Sequence, residues 1–399
     1  MTGSSRTFWY TWAVGEAGRL SQQALVRLVS RVVGAPSLAD GTTLLEAVPP
    51  SSVSDLAALA RRHGLEAWLS AGAPPGDAFE PLRAQRPGFL AAQARVRAVL
   101  ADLTEVFTRL HCEWAVLKGP ALAHTVYPRS DLRHAVDLDV LVSPSRFGDV
   151  LAALEASPDF ALLDLNWPLT AAAVPGELRV QSRRGVLVDL HWSVLDGPGL
   201  RRRFSMPTAK LLSRVRRLEA SGIPALSAVD QLVHLGVHGA LSGANRLVWL
   251  LDAHLAARHD PDWDAVRATA EAMGATASLA VVLARARRLW DTPVPPRLLR
   301  QLAGGTVWRG IDRLVDATGP VRGDPARSAA ARAWARSART PRLSTLAEFG
   351  RHGLAWVRAG TPRVWRAISF DPSDPASPLH RVDDPDARRR YLASVAAAE

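Results

Sequence analysis

WAVLKGPALAHTVYPRSDLRHAVDLDVLV, residues 114–142, decides the fold. Trp114, Ala115, Val116 and Leu117 form a short apolar run of the kind that makes a buried strand. Lys118-Gly119-Pro120 interrupts it. Gly permits an unusual backbone angle, and Pro fits the first helical position, where its missing N–H costs nothing. Residues 121–127 follow as a short helix that Pro128 stops. Residues 136–142 alternate with period two. Val136, Leu138, Val140 and Val142 therefore share one face, and Asp137 and Asp139 the other.

Two carboxylates this close raise each other's pKa unless a positive charge lies between them. A divalent cation that prefers oxygen answers that need. The free N–H groups of the adjacent helix start suit a phosphate. Metal with phosphate points to a nucleotide and to phosphoryl-transfer chemistry. The Asp pair alone equally describes the solvated face of an alternating strand. A third carboxylate separates the two readings. GVLVDLHW, residues 185–192, sets Val186, Val188 and Leu190 on one face and Asp189 with Leu187 and His191 on the other. Residues 178–181 and the turn Ser182-Arg183-Arg184-Gly185 read as the arm of a hairpin leading into it. Three Asp on adjacent strands can hold two metal ions about 3.5–4 Å apart for an in-line displacement.

Three motifs recur in order: Leu117-Lys118-Gly119; Arg133 ahead of Asp137-Leu138-Asp139; and Val188-Asp189-Leu190-His191-Trp192. Together they resemble the nucleotidyltransferases of the DNA polymerase beta-like superfamily, and more closely a bacterial group of uncharacterised nucleotidyltransferases. The superfamily more often carries Gly-Ser where this chain has Lys118-Gly119, and the group often has Gly at the place of Val136. Spaced His234 and His238, then Arg246, Trp249 and Asp252, are similar to the group's next motif, so the resemblance spans roughly residues 54–260. It implies an α+β fold, with a small mixed β-sheet core flanked by N- and C-terminal helical regions. It also implies that the helical pair carrying these residues packs on the core and helps enclose the substrate.

The expected reaction moves a nucleoside monophosphate from an NTP co-substrate to an acceptor and releases pyrophosphate. Asp137 and Asp139 hold Mg²⁺, as one ion or two. Asp189 completes a second metal position or takes the acceptor's proton. The Gly119 turn and Lys118 bind phosphate. Arg133 contacts phosphate or braces the carboxylates. Arg246 binds phosphate or pairs with Asp252. His191 orients Asp189 or supports the sheet edge. The acceptor stays open among a small molecule, a protein and RNA. Two alternatives stand beside this reading: a nucleotide-binding regulator or toxin–antitoxin component with little turnover, and a transferase that modifies RNA ends.

The chain has 399 residues, enough for two or three domains with ample core. The expected division is a helical region over 1–95, the nucleotidyltransferase core over 96–200, a helical domain over 201–300 that packs on the core, and a helical and extended region over 301–399. The net charge of +11 is carried almost wholly by Arg, because Lys118 and Lys210 are the only lysines. With many Ala and Trp this is a compositional bias. It does not by itself indicate nucleic acid, though it permits an anionic partner. It also makes a lysine at the key turn stand out, since its compact ammonium differs from a guanidinium. Cys112 is the sole cysteine, which leaves no disulfide partner and no cysteine-rich metal site. The first twenty residues lack the apolar run and basic flank of a signal peptide, and no stretch is long enough to cross a bilayer. A soluble cytoplasmic protein without membrane contact is the expectation.

Apolar spacing predicts helices over 21–33, 54–69 and 91–111, separated by Pro49-Pro50 and Pro74-Pro75-Gly76, and a further helix over 144–154. Arg201-Arg202-Arg203 reads as solvated charge. Asp230, His234 and His238 share a helical face, as metal ligands or as hydrogen-bonded core groups. Residues 328–338 and 343–357 read as helices, and 370–385 as an extended segment. Trp308, Trp334, Trp356 and Trp365 interleave with Arg, which suits either base stacking or a core.

Overall fold

Among the described residues, apolar positions at three- and four-residue spacing build six α-helices ahead of the first strand: α1 (Gln22–Val33), α2 (Leu38–Glu46), α3 (Val53–His63), α4 (Glu66–Gly72), α5 (Glu80–Arg83) and α6 (Arg86–Arg109). The computed structural model describes residues 20–317, 319, 321, 328–340, 342–359 and 371–398. Residues 1–19, Phe370 and Trp365 lie outside the described residues, as does the side chain of Trp356. The single helix expected over 54–69 is two helices. Gly64 takes the left-handed conformation at φ +71° and ends α3, which an L side chain resists. On α6, Val96, Val99, Leu103, Val106 and Phe107 form the buried stripe that faces the sheet.

The α/β segment then runs β1 (Trp114–Val116), α7 (Pro120–Thr125), β2 (Asp137–Val142), α8 (Pro144–Glu155), β3 (Phe160–Leu162), α9 (Trp167–Ala173), β4 (Glu177–Ser182) and β5 (Leu187–His191). After it come α10 (Pro198–Arg201), α11 (Thr208–Leu212), β6 (Arg216–Arg217) and β7 (Pro224–Ala225). The seven strands form one mixed sheet in the order β3-β4-β5-β2-β1-β7-β6. β2 pairs antiparallel with β1 and parallel with β5, and β4 pairs antiparallel with β5. The chain thus has an α+β fold. Val136 is 80 % exposed and lies just outside β2, so it does not join the apolar face expected for it.

The two faces of the sheet have separate cores. Leu138, Val140, Leu178, Val180, Val188 and Leu190 pack with α6 and α8. On the carboxylate face, Ala115, Leu117 and Leu141 pack with helices from both ends of the chain. Those that follow the sheet are α12 (Ala228–Leu241), α13 (Leu247–Arg258), α14 (Trp263–Ala272), α15 (Thr276–Trp290) and α16 (Pro296–Ala303). Leu25, Val29 and Leu56 of the first helices share that core with Leu232, Leu251 and Leu279. The chain continues with α17 (Thr306–Asp316), α18 (Ala329–Ser337), α19 (Arg342–Ala359) and α20 (Pro385–Ala396). Trp334 is buried and donates to Asp312 at 2.6 Å, so it belongs to the core rather than to a stacking surface. Among the described residues no helix is long and apolar enough to cross a membrane.

Residues 371–384, expected to be extended, are instead mostly turns, in which the N–H groups of Asp374, Ser377 and His380 donate to the carbonyls of Asp371, Asp374 and Ser377, and they are tied to the core. The Pro378 carbonyl accepts from the backbone N–H groups of Leu165 and Asn166, and Val382 bridges to Asn166. α20, which the sequence reading did not include, packs on α8 and α9 with Tyr391 fully buried. Trp192 Nε1 donates to the Pro175 carbonyl at 2.8 Å and to the Tyr391 hydroxyl at 3.0 Å. Arg201, expected in solvent, donates to the carbonyls of Leu195 and Val174 and lies 4.3 Å over the Trp192 ring. Tyr391→Phe removes one of two acceptors for Trp192. It is expected to destabilise by the low end of about 0.5–1.5 kcal/mol, read from the urea denaturation midpoint.

Candidate active site

Alternation puts Asp137 and Asp139 on one face of β2, and the parallel pairing brings β5 alongside in a defined register. Asp139 lies directly opposite Asp189, and Asp137 opposite Leu187. The three predicted carboxylates therefore lie together on adjacent strands. Asp139 is buried at the floor, 4 % exposed, while Asp137 and Asp189 are half-buried. A fourth carboxylate joins them that the sequence reading missed. Glu177 is paired with His191 across β4 and β5, and its Oε2 lies 3.0 Å from His191 Nδ1. The signal was present: Leu178 and Val180 alternate inward, which sends Glu177 to the face of Asp189.

Two cations answer the four carboxylates. Lys118 Nζ lies 2.9 Å from Asp139 Oδ1, and His191 Nε2 lies 3.2 Å from the same oxygen. His191 thus bridges Glu177 and Asp139. It does not orient Asp189, and β5 is an interior strand, so it supports no sheet edge. Arg179 stands opposite Asp189 but turns its guanidinium to Asp164, with Nη2 2.5 Å from Oδ1. Burial would raise Asp139. The His191 hydrogen bond and the Lys118 charge instead hold it well below the usual carboxylate range. For Asp189 the lowering effect of the His191 charge is outweighed. Burial, then the charges of Glu177 and Asp139, push it up to about 7. Asp137 is raised by burial and by Asp139. Burial would lower His191, but Glu177 and Asp139 raise it to about 9.

These shifts set a pH dependence for the metal-free chain. Folded Asp189 keeps a proton that the unfolded chain loses near 3.8, so stability falls as pH rises from there toward about 7. The contribution of His191 is whole below 6.5 and is lost as pH rises through about 9. That of Asp139 is present above 3.8 and is lost as pH falls through its depressed folded value. A stability maximum at about pH 4 is expected in thermal melts across pH, and Asp189→Asn should flatten the limb between there and about 7.

The donor set is all hard oxygen apart from His191, and the four carboxylates, once all are ionised, exceed the two cations by two negative charges. That charge and chemistry fit Mg²⁺. As the side chains stand, no group of three or more His, Cys, Asp or Glu among the described residues is gathered to hold a metal ion. Lys118 and His191 share one Asp139 oxygen, Oδ1, so a cation seated on that oxygen takes the place of Lys118.

The turn beside the carboxylates is more committed than its sequence suggests. Gly119 sits at φ +50° with Ala135 Cβ 3.0 Å from where its own Cβ would stand, so both strain and space favour glycine. Pro120 has no N–H, the Ala121 N–H donates to the Lys118 carbonyl, and α7 is six residues long. Less free amide remains for phosphate than a longer helix start would give. Arg133 does not reach the carboxylates as a brace. Its Nε and Nη2 each donate at 3.0 Å to the two oxygens of Asp252 on α13, and the Tyr127 hydroxyl donates to the same carboxylate at 2.6 Å. Arg246 is therefore not the partner of Asp252. It donates through Nε to the Arg62 carbonyl, and its charge is felt by Glu66. Asp230 pairs with Arg214 and Ser227, away from any metal role with the two histidines. His234 is buried and His238 half-buried, and burial and then Lys118 lower the pKa of both, His234 to about 3. The Gln231 amide, on the same helix, donates to the Leu117 carbonyl at 2.8 Å and fixes α12 over the key turn.

A comparison with curated proteins gives no match. A family model described as an uncharacterised nucleotidyltransferase matches residues 49–291, which takes in the covering helices α3 and α4, the whole sheet and helices α12 to α15. With more than half of its length matched, this chain belongs to that uncharacterised nucleotidyltransferase family.

Proposed function

We propose that the chain transfers a nucleoside monophosphate from an NTP to an acceptor hydroxyl, with a divalent cation and with release of pyrophosphate. Family membership supports a nucleotidyltransferase in the coarse sense. The observation that carries the finer reading is the register that sets Asp139 beside Asp189 with Asp137 on the same face. Asp137 and Asp139 would hold Mg²⁺, which when bound neutralises the charge that builds on the triphosphate. Asp189, with its pKa near 7, suits a base working near neutrality. It takes the proton of the acceptor hydroxyl as that oxygen attacks the α-phosphorus and pyrophosphate departs. Lys118 and Arg246 supply positive charge for the triphosphate. Glu177 and His191 hold Asp139 in place from behind.

The test is pyrophosphate release from each of the four NTPs against small-molecule, protein and RNA acceptors. Calorimetry of Mg²⁺-ATP with wild type and Asp137→Asn accompanies it. Equal affinity in both would remove the metal assignment. A discrete labelled product separates an enzyme from a nucleotide-binding regulator.

One observation favours a polyanionic acceptor such as RNA. A cleft of about 790 Å³ between α15, α16 and α17 is lined by Arg287, Arg288, Arg300, Arg309 and Arg313. Its acids are Asp291, Asp312 and Asp316; Asp316 is paired with Arg285 and Arg288, and Asp312 accepts from Trp334, so the five Arg outnumber the three Asp. An RNA acceptor predicts steep salt dependence of RNA binding, with a slope reduced in Arg300→Glu/Arg313→Glu. No RNA affinity at low salt would leave a small molecule or a protein.

A further inference from the structure

We propose that Lys118 is the resident cation of the carboxylate cluster, seated on Asp139 until a metal-bound triphosphate displaces it, and that it then turns to the triphosphate. The inference rests on the nucleotidyltransferase reading and adds how metal and nucleotide are made to bind together. Among the described residues the ammonium has one partner, Asp139 at 2.9 Å, although it carries three N–H donors. Its backbone, by contrast, is fixed. The Leu117 N–H donates to the Asp139 carbonyl, the Leu117 carbonyl accepts from Gln231, and Gly119 holds a left-handed turn. A pinned backbone with a singly bonded, flexible stem is the arrangement of a group that swings. An arginine at this place would fork onto the carboxylate and resist leaving.

The energetic coupling follows from burial. Lys118 is 18 % exposed in its side chain and Asp139 5 %. A cation entering alone competes with the ammonium for Asp139 and for the nearby charges of Asp137 and Glu177, and brings it no new anion. A buried charge that loses its hydrogen-bonded partner is disfavoured. A triphosphate entering alone meets Asp137, Asp139, Asp189 and Glu177 with Lys118 still engaged. When both arrive, the divalent ion takes Asp139 and the ammonium takes a phosphate oxygen, so neither charge is left bare. Lys118 thereby links the two ligands, and linkage is reciprocal.

Lys118 and Lys210 are the only lysines, which gives a direct readout. The full chain labelled with ¹³C,¹⁵N-lysine shows two side-chain signals, assigned with Lys210→Arg on exposed α11. Mg²⁺ alone should leave the Lys118 signal in place. Mg²⁺ with the NTP that binds should move it, with Lys210 unmoved. A bound Mg²⁺-NTP that leaves Lys118 unshifted, or Mg²⁺ alone shifting it as far, overturns the inference while the transferase reading stands. A second arm needs no nucleotide. Mn²⁺ binding followed by paramagnetic resonance should be about tenfold tighter or more in Lys118→Met than in wild type. Equal affinity overturns the inference. If no NTP binds but Lys118→Met gains Mn²⁺ affinity, the placeholder role survives and the NTP reading fails.

Discussion

Asp139→Asn is expected to lower NMP transfer about a thousandfold. Its carboxylate is the convergence point of the site, opposite Asp189 and under both Lys118 and His191. A metal that lacks this ligand forfeits several kcal/mol of charge stabilisation in the transition state, and about 1.4 kcal/mol is a factor of ten. The amide keeps the shape, so the loss reports charge. Two effects on stability oppose each other. Lys118 and His191 lose their anion, while Asp137 and Asp189 lose a like-charged neighbour. His191 keeps Glu177 and can shed its proton, and Lys118 keeps Asp137 nearby, so the variant should fold. Relief of the repulsion lowers Asp189 from its position near 7, and the descending limb of the stability–pH profile should move to lower pH. His191→Gln, which removes only the group behind the carboxylate, should lose about 10–100-fold. Asp139→Asn turnover within tenfold of wild type, in a folded protein, would end the metal assignment.

What the sequence disclosed depended on how local each feature is. Period-two alternation is local, so the faces of β2 and β5 were legible, and with them the apolar core beneath Asp137, Asp139 and Asp189. The register of Asp139 against Asp189 is not local. It is set by β2 and β5 pairing across fifty residues, and the sequence shows only that both strands exist. Glu177 was within reach, since the turn at residues 182–185 fixes the hairpin and one more step outward pairs it with His191. α20 also announced itself. Asp384 caps it, accepting from the Ala387 N–H, and Pro385 takes its first position. α2, LADGTTLLE, did not, because Gly and two Thr weaken helix propensity, and packing against α1 and α4 holds it. The two-residue strands β6 and β7 leave no pattern to read. The phosphate turn was over-read for a different reason: glycine and proline mark the turn, but which amides stay free depends on hydrogen bonds the sequence does not display.

Arg133 is the clearest case of a residue whose type was legible and whose partner was not, and its replacement should give the largest loss of stability. Asp252 stands 119 positions away, yet it receives both prongs of the guanidinium and the Tyr127 hydroxyl in a nearly closed site. The pair ties the loop that feeds β2 to α13, which covers the carboxylate face. Arg133→Met leaves Asp252 buried with one neutral donor, and loss of one member of a buried pair is expected to destabilise by about 3–5 kcal/mol. The same principle predicts rescue. Arg133→Met/Asp252→Leu/Tyr127→Phe removes every polar member together, so no group is left unpaired, and stability should return to near wild type. The triple variant also decides between structural clamp and phosphate ligand. A clamp predicts that the refolded triple binds Mg²⁺-NTP with wild-type affinity, because the loop and α13 are again in place. A phosphate ligand predicts weakened nucleotide binding despite restored stability. The geometry favours the first outcome, since Nε and Nη2 are spent on Asp252 and Nη1 donates to the His134 carbonyl at 2.6 Å. Arg246, which donates through Nε to the Arg62 carbonyl, is the arginine we propose for the triphosphate.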